Sequence, residues 1–95
     1  MSVSISRPCV SDQIVHDAIQ ETTAKLYYRL NQKGWGSFAS KHEMLGVIEE
    51  EMLELKEAVR DDSFQGQTPF EKELLDIAVA AIFSVACIKA GYVSW

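Results

Sequence analysis

The sequence predicts an all-α fold, and three observations carry that prediction. Apolar residues recur three and four apart through three stretches of the chain. Each stretch opens on a Ser or Thr suited to cap a helix, and glycines follow the first and third. No segment alternates apolar and polar residues in the manner of a half-buried strand.

The first helix is expected over residues 12–33. Ser11 is its N-cap and Asp12 complements the helix dipole. Val15, Ala18, Ile19, Thr22, Leu26 and Leu30 form its stripe, and Lys33 with Gly34 ends it. A short connection, Gly34 to Ala39, carries Trp35 and Phe38. Ser40-Lys41-His42-Glu43 then reads as a capping box, Glu43 reaching back to Ser40, and opens a second helix over residues 41–60. Asp61 to Gln67 reads as a loop. Thr68 as N-cap, Pro69 at the first helical position and Glu71 as capping-box acid open a third helix, 69–90, which Gly91 ends.

With 95 residues the chain is expected to form one domain, 1–95. So short a chain buries a modest share of its surface, which favours association with other subunits. The net charge of −5 and the lack of basic stripes argue against nucleic acid as a partner. The longest uncharged stretches fall short of the roughly 20 residues a membrane span requires. The N-terminal segment lacks the apolar block of a signal peptide, so the expected location is cytoplasmic. Cys9 and Cys87 match no metal-site spacing; Cys87 reads as a small core residue.

The chemistry-bearing feature is acidic. Glu51 with Glu54, and Glu73 with Asp76, form two pairs spaced three apart, so each pair projects from one helix face. On the second helix Glu51 falls within the apolar arc of Met44, Val47, Ile48, Leu55 and Ala58, whereas Glu50 points to the flank. On the third, Asp76 is the lone charge in LLDIAVAAIFSVACI, a helix apolar nearly all round and therefore central. Ala80, Ser84 and Cys87 share its side and would let another helix approach. Only Lys72 is expected near Asp76. An uncompensated buried carboxylate costs several kcal/mol. Crowded carboxylates call for a cation, and an oxygen-preferring one such as Mg²⁺ fits best. The pattern leaves a plainer reading open, in which Glu51 pairs with a basic residue and Asp76 accepts backbone or hydroxyl hydrogen bonds.

Ile48-Glu49-Glu50-Glu51-Met52-Leu53-Glu54-Leu55-Lys56-Glu57-Ala58, followed after Glu54 by 18 residues and then Glu73-Leu74-Leu75-Asp76, resembles the MazG-like nucleotide pyrophosphohydrolases. Their hallmark is EExxE, a variable spacer, then ExxD; the match covers the second and third helices, about half the chain. The resemblance implies an all-α fold working as a homodimer or homotetramer, and hydrolysis of a nucleoside triphosphate to the monophosphate and pyrophosphate. It makes Glu51, Glu54, Glu73 and Asp76 ligands of Mg²⁺, for which Mn²⁺ would substitute. Glu50 and Glu54 are the candidates for the base that takes a proton from the attacking water. Fuller members continue into a fourth helix with substrate contacts. Here the grip on substrate is expected from the first helix, the Trp35–Phe38 connection or another subunit.

Trp35 and Phe38 are candidates to stack on a base, although aromatics in a short interhelical loop more often plug the core. Lys41, Lys72 and His42 are candidate phosphate contacts, Lys41 and His42 because they open a helix; solvated first-turn positions explain these two as well. His16 has no partner suggested by spacing. The rival function is a non-enzymatic helical binding or assembly module that keeps the acids as a structural cation site.

Overall fold

The structure is a computed structural model, and it describes residues 7–60 and 69–94 of the chain. Among these residues the regular elements are three α-helices, α1 (Asp12–Lys33), α2 (Lys41–Val59) and α3 (Pro69–Ala90). The expected bounds hold within a residue. The expected loop over Asp61 to Gln67 and the Thr68 cap lie outside the described residues.

Local chemistry sets the helix ends. The Ser11 hydroxyl accepts from the Ile14 N–H, and the Ser40 hydroxyl from the Glu43 N–H. The capping box at α2 differs in one respect. Glu43 accepts from the N–H of Ala39 at 2.6 Å rather than from that of Ser40, so its brace reaches one residue further into the connection. Gly34 and Gly91 follow α1 and α3 with φ of 93° and 83°, a backbone that a side chain would strain.

Helix α3 is the spine: α2 and α1 both pack on it, and α1 does not pack on α2. Asp76, Val79, Ala80, Ser84 and Cys87 are its buried residues, joined by Leu30 of α1 and by Met44 and Ala58 of α2. The small side chains on the Asp76 side thus form the contact face, as their spacing predicts. The connection between α1 and α2 is pinned to the far end of α3. The Phe38 N–H donates to Cys87 Sγ, and the Ser94 N–H donates to the Ala39 carbonyl at 2.9 Å. Phe38 is half-buried, edge-on to Phe83 at 5.3 Å between ring centroids.

A single chain leaves much apolar surface uncovered. Val15 and Ile19 of the α1 stripe are exposed, as are Leu45, Met52 and Val59 at seven-residue spacing on α2, and Leu74, Ile82, Val85 and Ile88 on α3. Among the described residues no helix is long and apolar enough to cross a membrane.

Candidate metal centre

The α2–α3 contact brings the two acidic pairs together. Glu51 and Glu54 from α2 meet Glu73 and Asp76 from α3, each offering a carboxylate oxygen, with all four oxygens within 4.8 Å of one another. The reason lies in the helical repeat. A three-residue spacing keeps both members of a pair on one face, and the small residues following Asp76 let the two faces approach.

The four acids stand in different surroundings. Asp76 is 3% exposed and accepts from Lys25 at 2.8 Å, Arg29 at 2.5 Å and Lys72 at 3.5 Å. Burial alone would raise its pKa. The Lys25 hydrogen bond and the charges of Arg29, Lys25 and Lys72 outweigh burial and hold the carboxyl below its usual range. Lys25 also reaches the Lys72 carbonyl at 3.4 Å, tying α1 to the start of α3.

Glu51 lacks such company. Burial, then the charges of Asp76 and Glu54 and a hydrogen bond shared with Glu73, push it up to about 7. Glu73 is raised too, by burial first and then by a hydrogen bond shared with Glu54. Lys72, 3.6 Å from Glu73, only partly offsets this. The Oε2 atoms of Glu51 and Glu73 are buried and accept no hydrogen bond. Such orphaned oxygens are uncommon in folded proteins and call for a partner. The all-oxygen donor set fits a hard divalent cation, and the two orphaned atoms are where it would bind.

The expectation that Lys72 alone stands near Asp76 is overturned. Lys25 and Arg29, four residues apart on one face of α1, reach Asp76 from across the fold. No spacing within α3 signals them. The legible hint was that both basic residues stand one position from the α1 apolar stripe, beside Leu26 and Leu30.

The cluster opens into a cleft of about 260 Å³ between α1 and α2, floored by α3. Leu30, Phe38, Val47 and Phe83 give it apolar walls, Glu51 and Asp76 stand at one end, and Arg29 lines it as well. Among the other sequence candidates, Glu50 is exposed and stands outside the four-acid group. Trp35 is 64% exposed and tilted against Tyr27 at 6.0 Å, so it plugs no core, whereas Phe38 is half-buried against Phe83 at the wall of the cleft. Lys41, His42 and His16 are exposed at the surface of their helices. Cys87 is buried and Cys9 exposed, both free. No protein-family model matches the chain, and neither does any curated protein or solved structure.

Proposed function

We propose that this chain is a Mg²⁺-dependent nucleoside triphosphate pyrophosphohydrolase of the MazG-like kind, working as a homo-oligomer. The observation that carries the reading is the four-carboxylate group with two buried oxygens left unpartnered. A structural cluster would satisfy those atoms with protein donors, as Asp76 is satisfied.

In this reading Glu51, Glu54, Glu73 and Asp76 hold the metal, which supplies charge neutralisation at the α-phosphate and a more acidic water. Glu54 is exposed within the group and so reachable by water, which favours it over Glu50 as the proton acceptor. Water attack at the α-phosphate forms the new P–O bond, and pyrophosphate leaves with the electrons of the broken one. The cleft beside the cluster has the apolar walls that suit a base, Phe38 and Phe83 among them. Oligomerisation is supported by the large apolar residues left exposed on all three helices, Ile19, Leu45, Val59 and Val85 among them.

A panel of ribo- and deoxynucleoside triphosphates with Mg²⁺, followed for monophosphate and pyrophosphate, tests the reading alongside Glu51→Gln. Turnover that this substitution abolishes supports it. Three cations around Asp76 favour the second reading, a helical module held together by ion pairs. A folded oligomer that turns over no nucleotide would establish that one.

A further inference from the structure

We propose that Lys25 and Arg29 are phosphate-binding residues kept on Asp76 as stand-in counter-ions, which pass to the substrate's phosphate chain when Asp76 takes up its divalent ion. This rests on the metal-dependent reading above and adds two residues that neither the acidic motif nor its helices contain.

Crowding at one oxygen is the first support. Lys25 and Arg29 both lie against Oδ1 of Asp76, at 2.8 and 2.5 Å. Lys72 approaches Oδ2 at 3.5 Å, a long contact. Metal ligation through Oδ1 therefore requires Lys25 or Arg29 to let go. Ligation through Oδ2 sets a divalent charge beside two side-chain cations, which repels them from the carboxylate. Either route frees them.

Where they go follows from position and charge. Their side chains are 20% and 31% exposed while Asp76 is buried, so both can leave without crossing the core. Arg29 already lines the cleft. Four acids and three cationic side chains make up the neighbourhood. With one divalent ion bound it is net positive, and with two strongly so. An anion of several charges is the complement, and the planar fork of Arg matches two phosphate oxygens at once. Cation and phosphate chain should thus bind with positive coupling.

The test pairs two titrations that a merely structural role would move together. Mn²⁺ is titrated into protein without anion and followed by the paramagnetic signal of the free ion. Inorganic pyrophosphate is titrated calorimetrically at saturating Mg²⁺. Arg29→Met is expected to tighten Mn²⁺ roughly fivefold, since a competitor for Asp76 is gone, and to weaken pyrophosphate at least tenfold. Where Arg29→Met proves poorly folded, Arg29→Lys keeps the charge but not the fork: Mn²⁺ affinity should stay near wild type while pyrophosphate weakens severalfold. An Arg29→Met protein with Mn²⁺ affinity unchanged or reduced, or either variant with unchanged pyrophosphate affinity, overturns the proposal while leaving the metal reading intact. A wild-type chain that binds no Mn²⁺ sinks both.

Discussion

Asp76 and Glu51 sit in one cluster, on facing helices, and their carboxyls are driven in opposite directions. Asp76 is the more deeply buried, yet it is held ionised; Glu51 is less buried and is pushed up to about 7. Burial raises both. The difference is helix α1, which delivers Lys25 and Arg29 to Asp76 and no cation to Glu51. The cluster thus has a compensated end and an uncompensated one. The orphaned Glu51 and Glu73 oxygens mark the uncompensated end as the place where a partner from outside would first be held.

Removing the compensated end should have the largest effect. Asp76→Ala leaves Lys25 and Arg29 facing each other without their acid and deletes the carboxylate that joins α1 to α3. Breaking a fully buried pair costs about 3–5 kcal/mol, and the partial exposure of the two cations lowers this to roughly 3 kcal/mol. For a chain of this length that is a drop in Tm of roughly 12–24 °C, read by thermal melting followed by circular dichroism. Turnover should vanish with it. A melt within a few degrees of wild type would show that α1 does not depend on Asp76.

Glu51→Gln acts on the other end and should change stability with the opposite sign. The folded chain holds the Glu51 proton more tightly than the unfolded chain does. Ionising it therefore costs stability as pH rises from about 4.5 through about 7. An amide cannot ionise, so without metal the variant should melt higher at pH 8, by roughly 2 kcal/mol, and close to wild type near pH 4. On the proposed metal reading its melt should also respond less to Mg²⁺ than that of the wild type. Destabilisation at pH 8 would mean that the Glu51 carboxylate already has a partner.

The same contrast gives the wild-type protein a two-sided pH profile. On the alkaline side, Tm should fall between about pH 5 and 7.5 as Glu51 ionises in the folded chain. On the acid side the sign reverses. Asp76 contributes stability above the unfolded value near 3.8, and that contribution is lost as pH falls through its lowered folded value. Saturating Mg²⁺ should flatten the alkaline limb and leave the acid limb in place. A profile that Mg²⁺ leaves unmoved at pH 7.5 would count against a metal at the uncompensated end.

The compensated end is also where the sequence was least readable. Helix bounds, the central place of α3, the small face around Ala80, Ser84 and Cys87, and the meeting of the two acidic pairs all follow from local spacing and capping. Those signals lie within a single helix. The Lys25 and Arg29 contacts lie 51 and 47 residues from Asp76 along the chain and depend on how α1 turns about its own axis against α3. That rotation is set by Leu26 and Leu30 packing against another helix, which one helix's periodicity does not specify. Trp35 and Phe38 were ambiguous for a related reason. Two aromatics three apart in a loop look alike until the Cys87 and Ser94 contacts fix which one faces α3.

The smallest expected effect belongs to the acid nearest the cluster in sequence and outside it in space. Glu50 adjoins Glu51, but the 100° turn between neighbouring helical residues carries it to an exposed flank. Glu50→Gln should shift stability by no more than about 0.5 kcal/mol, as surface changes usually do, and leave Mg²⁺ affinity unchanged. Its turnover should stay within about threefold of wild type. On the proposed reading Glu54→Gln, one turn on and within the group, should lower turnover on the order of a hundredfold or more, since a proton acceptor and metal ligand would be lost. Measured side by side at saturating Mg²⁺, the two variants separate an acid that merely stands in the motif from one that stands in the site. If Glu50→Gln were the more damaging, the proton acceptor would have to reach the reacting water from the flank of α2, and the division of the cluster into two ends would lack its most active member.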